Sequence, residues 1–369
     1  MNRIRVGVLD VQPLHEHGGI SRVLRELIAS WDPVMEVTFV TPQRSSWPVL
    51  RNYPTSMQLA GSPDLVYLPR TGGSMVLKNT RMPSVVTVHD VGFWDSPEDR
   101  RALGAQRFMV YPHFYALRYA QAIVTVSQFT KDRLTALFPE LKDRTRVIPW
   151  GISRAFATWT GTPAESRASA EYFLQQWLGR PLLIYVGDDG LRKNLSLLLT
   201  AFRMTKTAFP KAQLIKVGRA RSLQDQKRTH EMLRRLALKV PEDVLFVENV
   251  DDAQLATLYA AADLFVSASL YEGFGLPAVE ALSVGTPTLV TQCAAFPEIV
   301  GEVAMLAEPT LDAFASAMIR MLQYPPGAGV RASAQRYVRS TYAWQRTARA
   351  YGDLFCQLVG ALPTGQDMH

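Results

Sequence analysis

Short β-branched runs alternate with helix-length amphipathic stretches along nearly the whole chain, and the rhythm runs through two successive halves. This pattern is restrictive. A strand, a crossover helix and the next parallel strand bury both faces of a sheet, so the chain reads as α/β, with two doubly wound parallel sheets. Strands are expected over residues 5–11, 36–41, 64–69, 85–90, 122–127 and 146–149 in the first half, and over 182–187, 213–218, 244–250, 263–269 and 288–292 in the second. Helices over 192–207, 223–239 and 253–261 alternate with the later strands. Residues 153–167, rich in Thr, Ala and Gly and carrying Pro163, suit a linker. At 369 residues, each half is long enough to bury its own core.

Charge narrows the function classes without choosing one. Forty basic residues against 33 acidic leave a net +7, a modest excess that suits an anionic substrate or a membrane surface, and no nucleic-acid module accompanies it. Nucleic acid is therefore not an expected partner. Cys293 and Cys356 stand far apart with no Cys-x-x-Cys pair, which indicates neither a disulfide framework nor a zinc cluster. Asp10 interrupts the N-terminal apolar run, and no run approaches the length of a membrane span. The expected setting is the cytoplasm, with peripheral association on the inner face of the membrane left open.

The most chemically informative segment is Ser269-Leu270-Tyr271-Glu272-Gly273-Phe274-Gly275-Leu276-Pro277-Ala278-Val279-Glu280-Ala281, which leaves an apolar strand and opens a helix. Pro277 suits a first helical position and Gly285 the residue after the last turn. Gly273 and Gly275 permit backbone conformations closed to other residues, so N–H groups around Phe274 and Leu276 can converge on a polar guest beside the positive helix end. Glu272 would project from this loop, and Glu280, eight positions on, could reach a second part of the same ligand. The run Gly273 to Ala278 also fits a dinucleotide fingerprint, but that fold wants an acidic residue at the end of the next strand, and Gln292 stands there.

Other motifs fall at strand ends as well. Gly187-Asp188-Asp189-Gly190-Leu191-Arg192-Lys193-Asn194 places two cations at a helix entrance, where charge-assisted contacts to phosphate contribute about 1.5–3 kcal/mol each. Gly18 and Gly19 follow the first strand and can bring backbone amides against phosphate. His15 and His17 lie beside them, but no carboxylate cluster or further His supports a metal. His89 ends the strand over 85–90, and Ser127 suits a helix cap.

Taken together, Glu272 with Glu280, Arg192-Lys193, Gly18-Gly19, His89-Asp90, Gly285-Thr286-Pro287 and Pro297-Glu298 resemble retaining glycosyltransferases of family 4 with the GT-B fold, and this resemblance covers nearly the whole chain. It implies two Rossmann-like domains facing a cleft: residues 1–160 on the acceptor side, 161–340 binding a nucleotide sugar, and 341–369 returning as a helix to the first domain. The aromatic residues Tyr342 and Trp344 of that last segment are expected to pack. The catalytic residues implied are His89, Arg192, Lys193 and Glu272. The donor-binding residues implied are Gly18, Gly19, Gly273, Phe274, Gly275, Leu276, Glu280 and Val250. Within the family, the first Glu holds the transferred sugar, the second the ribose, and the Arg-Lys pair the diphosphate. No metal and no cofactor are expected; a nucleotide diphosphate sugar is the co-substrate, and a glycan or lipid-linked hydroxyl the acceptor. Glu248, Arg219 and Trp150 depart from the family pattern, which leaves base and acceptor open. A sugar-nucleotide epimerase, a phosphorylase, or a silent scaffold of polysaccharide assembly would use the same plan.

Overall fold

The computed structural model describes residues 3–10, 19–31, 35–44, 54–58, 62–104, 107–175, 178 and 180–360. The chain divides into two compact units, Met1–Gly151 with Tyr342–His369, and Ile152–Thr341. The division after Gly151 falls before the expected linker. Residues 153–167 instead enter the helices Arg154–Ala157 and Pro163–Leu174, because Thr162 and Glu165 form a reciprocal cap and Pro163 occupies the first turn.

In the first unit, strands β1 (Ile4–Val8) and β2 (Met35–Phe39) are followed by an antiparallel hairpin, β3 (Thr41–Arg44) with β4 (Pro54–Gln58), and then by β5 (Leu65–Leu68), β6 (Ser84–Val88), β7 (Ala122–Thr125) and β8 (Thr145–Val147). Six of these form a parallel sheet in the order β2-β1-β5-β6-β7-β8. β6 is buried along its whole length, as expected for a strand covered on both faces. Its Val86 and Val88 join Leu68, Phe114, Leu117 and Ile123 in one core.

The helix Trp344–Val359 completes this unit. Trp344 sits over Gly151, where an added Cβ would fall 2.5 Å from the indole, so only glycine fits without displacement. Thr347 donates to the Pro149 carbonyl at 2.8 Å, and the Tyr351 hydroxyl lies 2.8 Å from Thr87 Oγ1 on β6. Tyr342 and Trp344 are both buried, as their reading as packing residues requires.

The second unit contains β9 (Leu182–Val186), β10 (Gln213–Val217), β11 (Val244–Val247), β12 (Leu264–Ser267), β13 (Thr288–Thr291) and β14 (Met305–Ala307). All are parallel, in the order β11-β10-β9-β12-β13-β14. The helices Leu195–Ala208, Leu223–Arg235 and Leu311–Gln323 contribute Leu198, Phe202, Leu233, Phe314 and Met318 to its core. The order reverses between β9 and β12. Loops leaving adjacent strands at such a reversal travel to opposite faces of the sheet and open a crevice at the strands' carboxyl ends. In the first sheet the reversal lies between β1 and β5.

Candidate active site

The reversal in the second sheet selects two loops, the one after β9 and the one after β12, and these carry the two strongest sequence motifs. After β9, Asp188 Oδ1 accepts from the Gly190 amide at 2.8 Å, and the Asp188 carbonyl accepts from the Tyr185 hydroxyl at 2.7 Å. A single 3-10 turn, Leu191–Lys193, then presents both cations, and Asn194 in the left-handed region (φ 50°) starts the helix Leu195–Ala208. After β12, the Leu270 amide donates to the Arg192 carbonyl at 2.8 Å, which joins the two loops through the backbone.

Side chains draw the loops closer. Lys193 Nζ lies 2.6 Å from Glu272 Oε1, with each side chain 12% exposed, and Arg192 Nη1 donates to the Tyr271 carbonyl at 3.3 Å. The two motifs, read separately in the sequence, thus form one cluster with a half-buried ion pair at its centre.

The Gly-rich turn has a steric requirement of its own. Gly275 adopts φ 92°, and a Cβ there would sit 2.7 Å from Phe296 Cε1. Leu276 takes the first helical position and Pro277 the second, one residue later than the sequence suggests. At the far end, Gly285 (φ 91°) donates to Leu282 O at 3.0 Å and Thr286 to Ala281 O at 2.9 Å, a left-handed stop that satisfies the last carbonyls. Glu280, one turn inside the helix, is 1% exposed and accepts from the Tyr259 hydroxyl at 3.1 Å. Gly273, Phe274 and Leu276 are buried in the same turn. Val250 lies just beyond β11, immediately before the capping residue Asp251. Arg219 and Glu248, both departures from the family pattern, pair with one another at 3.2 Å beyond β10 and β11.

The first unit carries its own set of polar residues at the carboxyl ends of its strands. His89 Nε2 lies 2.7 Å from the Pro69 carbonyl, which can only accept, so Nε2 carries the proton and Nδ1 is a bare acceptor. Among the described residues Nδ1 has no hydrogen-bond partner. Burial, reinforced by the nearby Arg70 charge, pulls the ring down to about 4 against the opposing bond to Pro69, so His89 is neutral at pH 7. Trp150, another departure, packs its ring 4.9 Å from the imidazole.

Arg70 was missed in the sequence. It follows β5 at the first sheet's reversal, with Nε 3.0 Å from Asp10 Oδ1 and Nη2 2.8 Å from Ser21 Oγ. A basic residue directly after an apolar strand was the available signal. Ser127 caps the helix Gln128–Leu137, as read. Gly19 begins the helix Gly19–Ala29, while Gly18, His15 and His17 lie outside the described residues. Among the described residues no group of three or more His, Cys, Asp or Glu could hold a metal ion, and no helix is long and apolar enough to cross a membrane.

Comparison with known proteins adds independent findings. Residues 174–341 match the family model of glycosyl transferases group 1, and residues 41–156 that of glycosyltransferase family 4. The chain is 30% identical to O-antigen chain mannosyltransferase B of Escherichia coli over 289 residues, 76% of this chain and 69% of that protein. It is 26% identical to the MMP alpha-(1->4)-mannosyltransferase of Mycolicibacterium hassiacum over 321 residues, covering 82% and 70%. The fold resembles that of Anabaena HepE, solved with UDP and glucose, with a TM-score of 0.75 at 18% identity over 96% of this chain and 100% of that one.

Proposed function

Since the chain belongs to glycosyltransferase family 4 and has its GT-B fold, we propose that it is a retaining hexosyltransferase that moves a sugar from a nucleotide diphosphate donor to a hydroxyl of a glycan or lipid-linked acceptor. The observation that carries this reading is the contact between Lys193 and Glu272 where the sheet order reverses; in the proposed reading the first holds the diphosphate and the second the sugar. The two mannosyltransferase relatives and the UDP and glucose in the structural neighbour support a hexose donor of this type.

Chemically, the residues present have enough to do. Arg192 and Lys193 neutralise the diphosphate as negative charge grows on it, which is where fixed cations contribute most to rate. Glu272 accepts from hydroxyls of the transferred sugar, and Glu280 from the ribose. His89, neutral and with Nδ1 as acceptor, takes a hydrogen bond from a sugar hydroxyl and donates no proton. The bond from the anomeric carbon to the phosphate oxygen breaks, the acceptor oxygen bonds to that carbon on the same face, and the acceptor proton passes to the departing phosphate oxygen. No side-chain nucleophile and no metal are required. A cytoplasmic setting is proposed with this function; Cys293 and Cys356 form no disulfide, which is in keeping with it.

The test is a transfer assay with UDP-, GDP-, dTDP- and ADP-linked glucose and mannose, offered with glycan and polyprenyl-linked acceptors in excess chelator. Nucleoside diphosphate should be released as product forms, and NMR should find the donor's anomeric configuration kept. Inverted configuration would refute retention. Activity that disappears in chelator and returns with added metal would refute metal independence.

A further inference from the structure

Lys216 is a charged residue in an otherwise apolar strand. It lies on β10 between Ile215 and Val217, and its side chain is 4% exposed. A buried ammonium is costly unless it is paired and hydrogen-bonded. Here Nζ sits 2.6 Å from Asp189 Oδ1 and donates to the Gly218 carbonyl at 2.5 Å. Asp189, 3% exposed, is held from another side as well: Oδ2 accepts from Thr229 Oγ1 at 2.8 Å, and its carbonyl accepts from Arg228 at 2.6 Å. Both donors belong to the helix Leu223–Arg235.

Asp189 stands three residues before Arg192 in the loop that carries the cations. The amide of Lys193 donates to Gly190 O at 2.9 Å, and the Arg192 carbonyl accepts from Leu270. The loop is therefore pinned by a buried ion pair at Asp189 and by the outgoing backbone of β12 at Arg192, with Lys193 the next residue. Backbone bonds alone would fold such a turn; the buried pair adds a fixed depth and direction for it.

We propose that Lys216 and Asp189 are positioning residues that set where Arg192 and Lys193 meet the donor diphosphate. This inference rests on the reading of those two cations as the diphosphate site. Its energetic logic separates position from stability. Removing one member of a buried pair strands the other charge, whereas replacing both by apolar side chains is often neutral for the fold.

The experiment compares wild type with Lys216→Met/Asp189→Leu, Lys216→Arg, Thr229→Val and Lys193→Ala. Chemical denaturation reports stability. Calorimetry reports binding of inorganic pyrophosphate and of whichever of UDP, GDP, dTDP and ADP wild type binds best; saturation-transfer NMR reports the matching nucleoside without phosphates. The double variant should stay folded, bind pyrophosphate and nucleoside diphosphate about tenfold more weakly, and keep the nucleoside affinity. Thr229→Val, a near-isosteric change, should show the same selective loss at about threefold, and Lys216→Arg should retain more diphosphate affinity than the double variant. If Thr229→Val and any folded pair variant bind diphosphate as wild type does, or lose nucleoside and diphosphate equally, Lys216 and Asp189 serve the fold alone and the proposal fails. If Lys193→Ala also binds diphosphate normally, the underlying assignment of the site is what fails.

Discussion

At the scale of single residues, His89 and Glu272 are each held in place by one neighbouring group. Glu272 Oε1 lies 2.6 Å from Lys193 Nζ, so the cation fixes where this carboxylate sits in the turn. His89 is fixed in one tautomer by a carbonyl that cannot donate, and its low pKa removes it from acid catalysis near neutrality. Replacing His89 by Phe should therefore lower kcat/KM for the donor by about ten- to a hundredfold, the scale of one lost buried polar contact. The wild-type rate profile should show no His89 inflection between pH 5.5 and 8. An inflection near 6.5 that vanishes in His89→Phe would show that the ring titrates during turnover.

Among elements, the turn Glu272–Gly275 and its helix show how much local sequence can specify. Gly275 at φ 92°, a proline in the first turn and the stop glycine Gly285 at φ 91° were all legible, since each answers a local backbone requirement. Substituting Gly275→Ala should cost about 1–3 kcal/mol, because a residue with a Cβ would have to hold φ 92° and push Phe296 aside. Urea unfolding measures this; an unchanged midpoint would mean that the turn relaxes freely.

Eleven strands were legible because apolar, mostly β-branched runs in parallel sheets carry a strong signal, strongest where the strand is buried along its whole length, as in β6 and β12. β14 was missed: Met305-Leu306-Ala307 has no β-branched residue. The hairpin β3 and β4 was missed too, since Pro42 and Pro54 argue against strands. The composition of residues 153–167 suggested a linker although Thr162-Pro163-Ala164-Glu165 spells a helix start. Pairings between distant strands leave no local trace, so the partners of Lys216 and Arg70 could not be read.

For the whole molecule, two separately cored units share one chain, and the helix Trp344–Val359 belongs to the first unit although it comes last. Its Tyr351 and Phe355 pack against Tyr67 at 5.4 and 5.8 Å between ring centroids, so the end of the chain is a structural part of the N-terminal fold. Acid should expose a weakness in this unit. Burial lowers His89 and His113 to about 4, against 6.5 unperturbed. Between those values the unfolded chain binds more protons than the folded one, so their contribution is complete above about pH 6.5 and is lost as pH falls towards 4. Melting temperature should decline over that window, and less steeply in His113→Gln. An identical slope in the variant would mean that His113 takes no part in the acid response.

In the proposed function the second unit grips a nucleotide diphosphate through the cluster built on Lys193 and Glu272. Calorimetric titration of the best-bound nucleotide diphosphate sugar into wild type and Lys193→Ala tests it directly. An affinity at least about tenfold weaker is expected in the variant, the effect of removing one charge-assisted phosphate contact, with the fold intact. Equal affinity in the two proteins would contradict it.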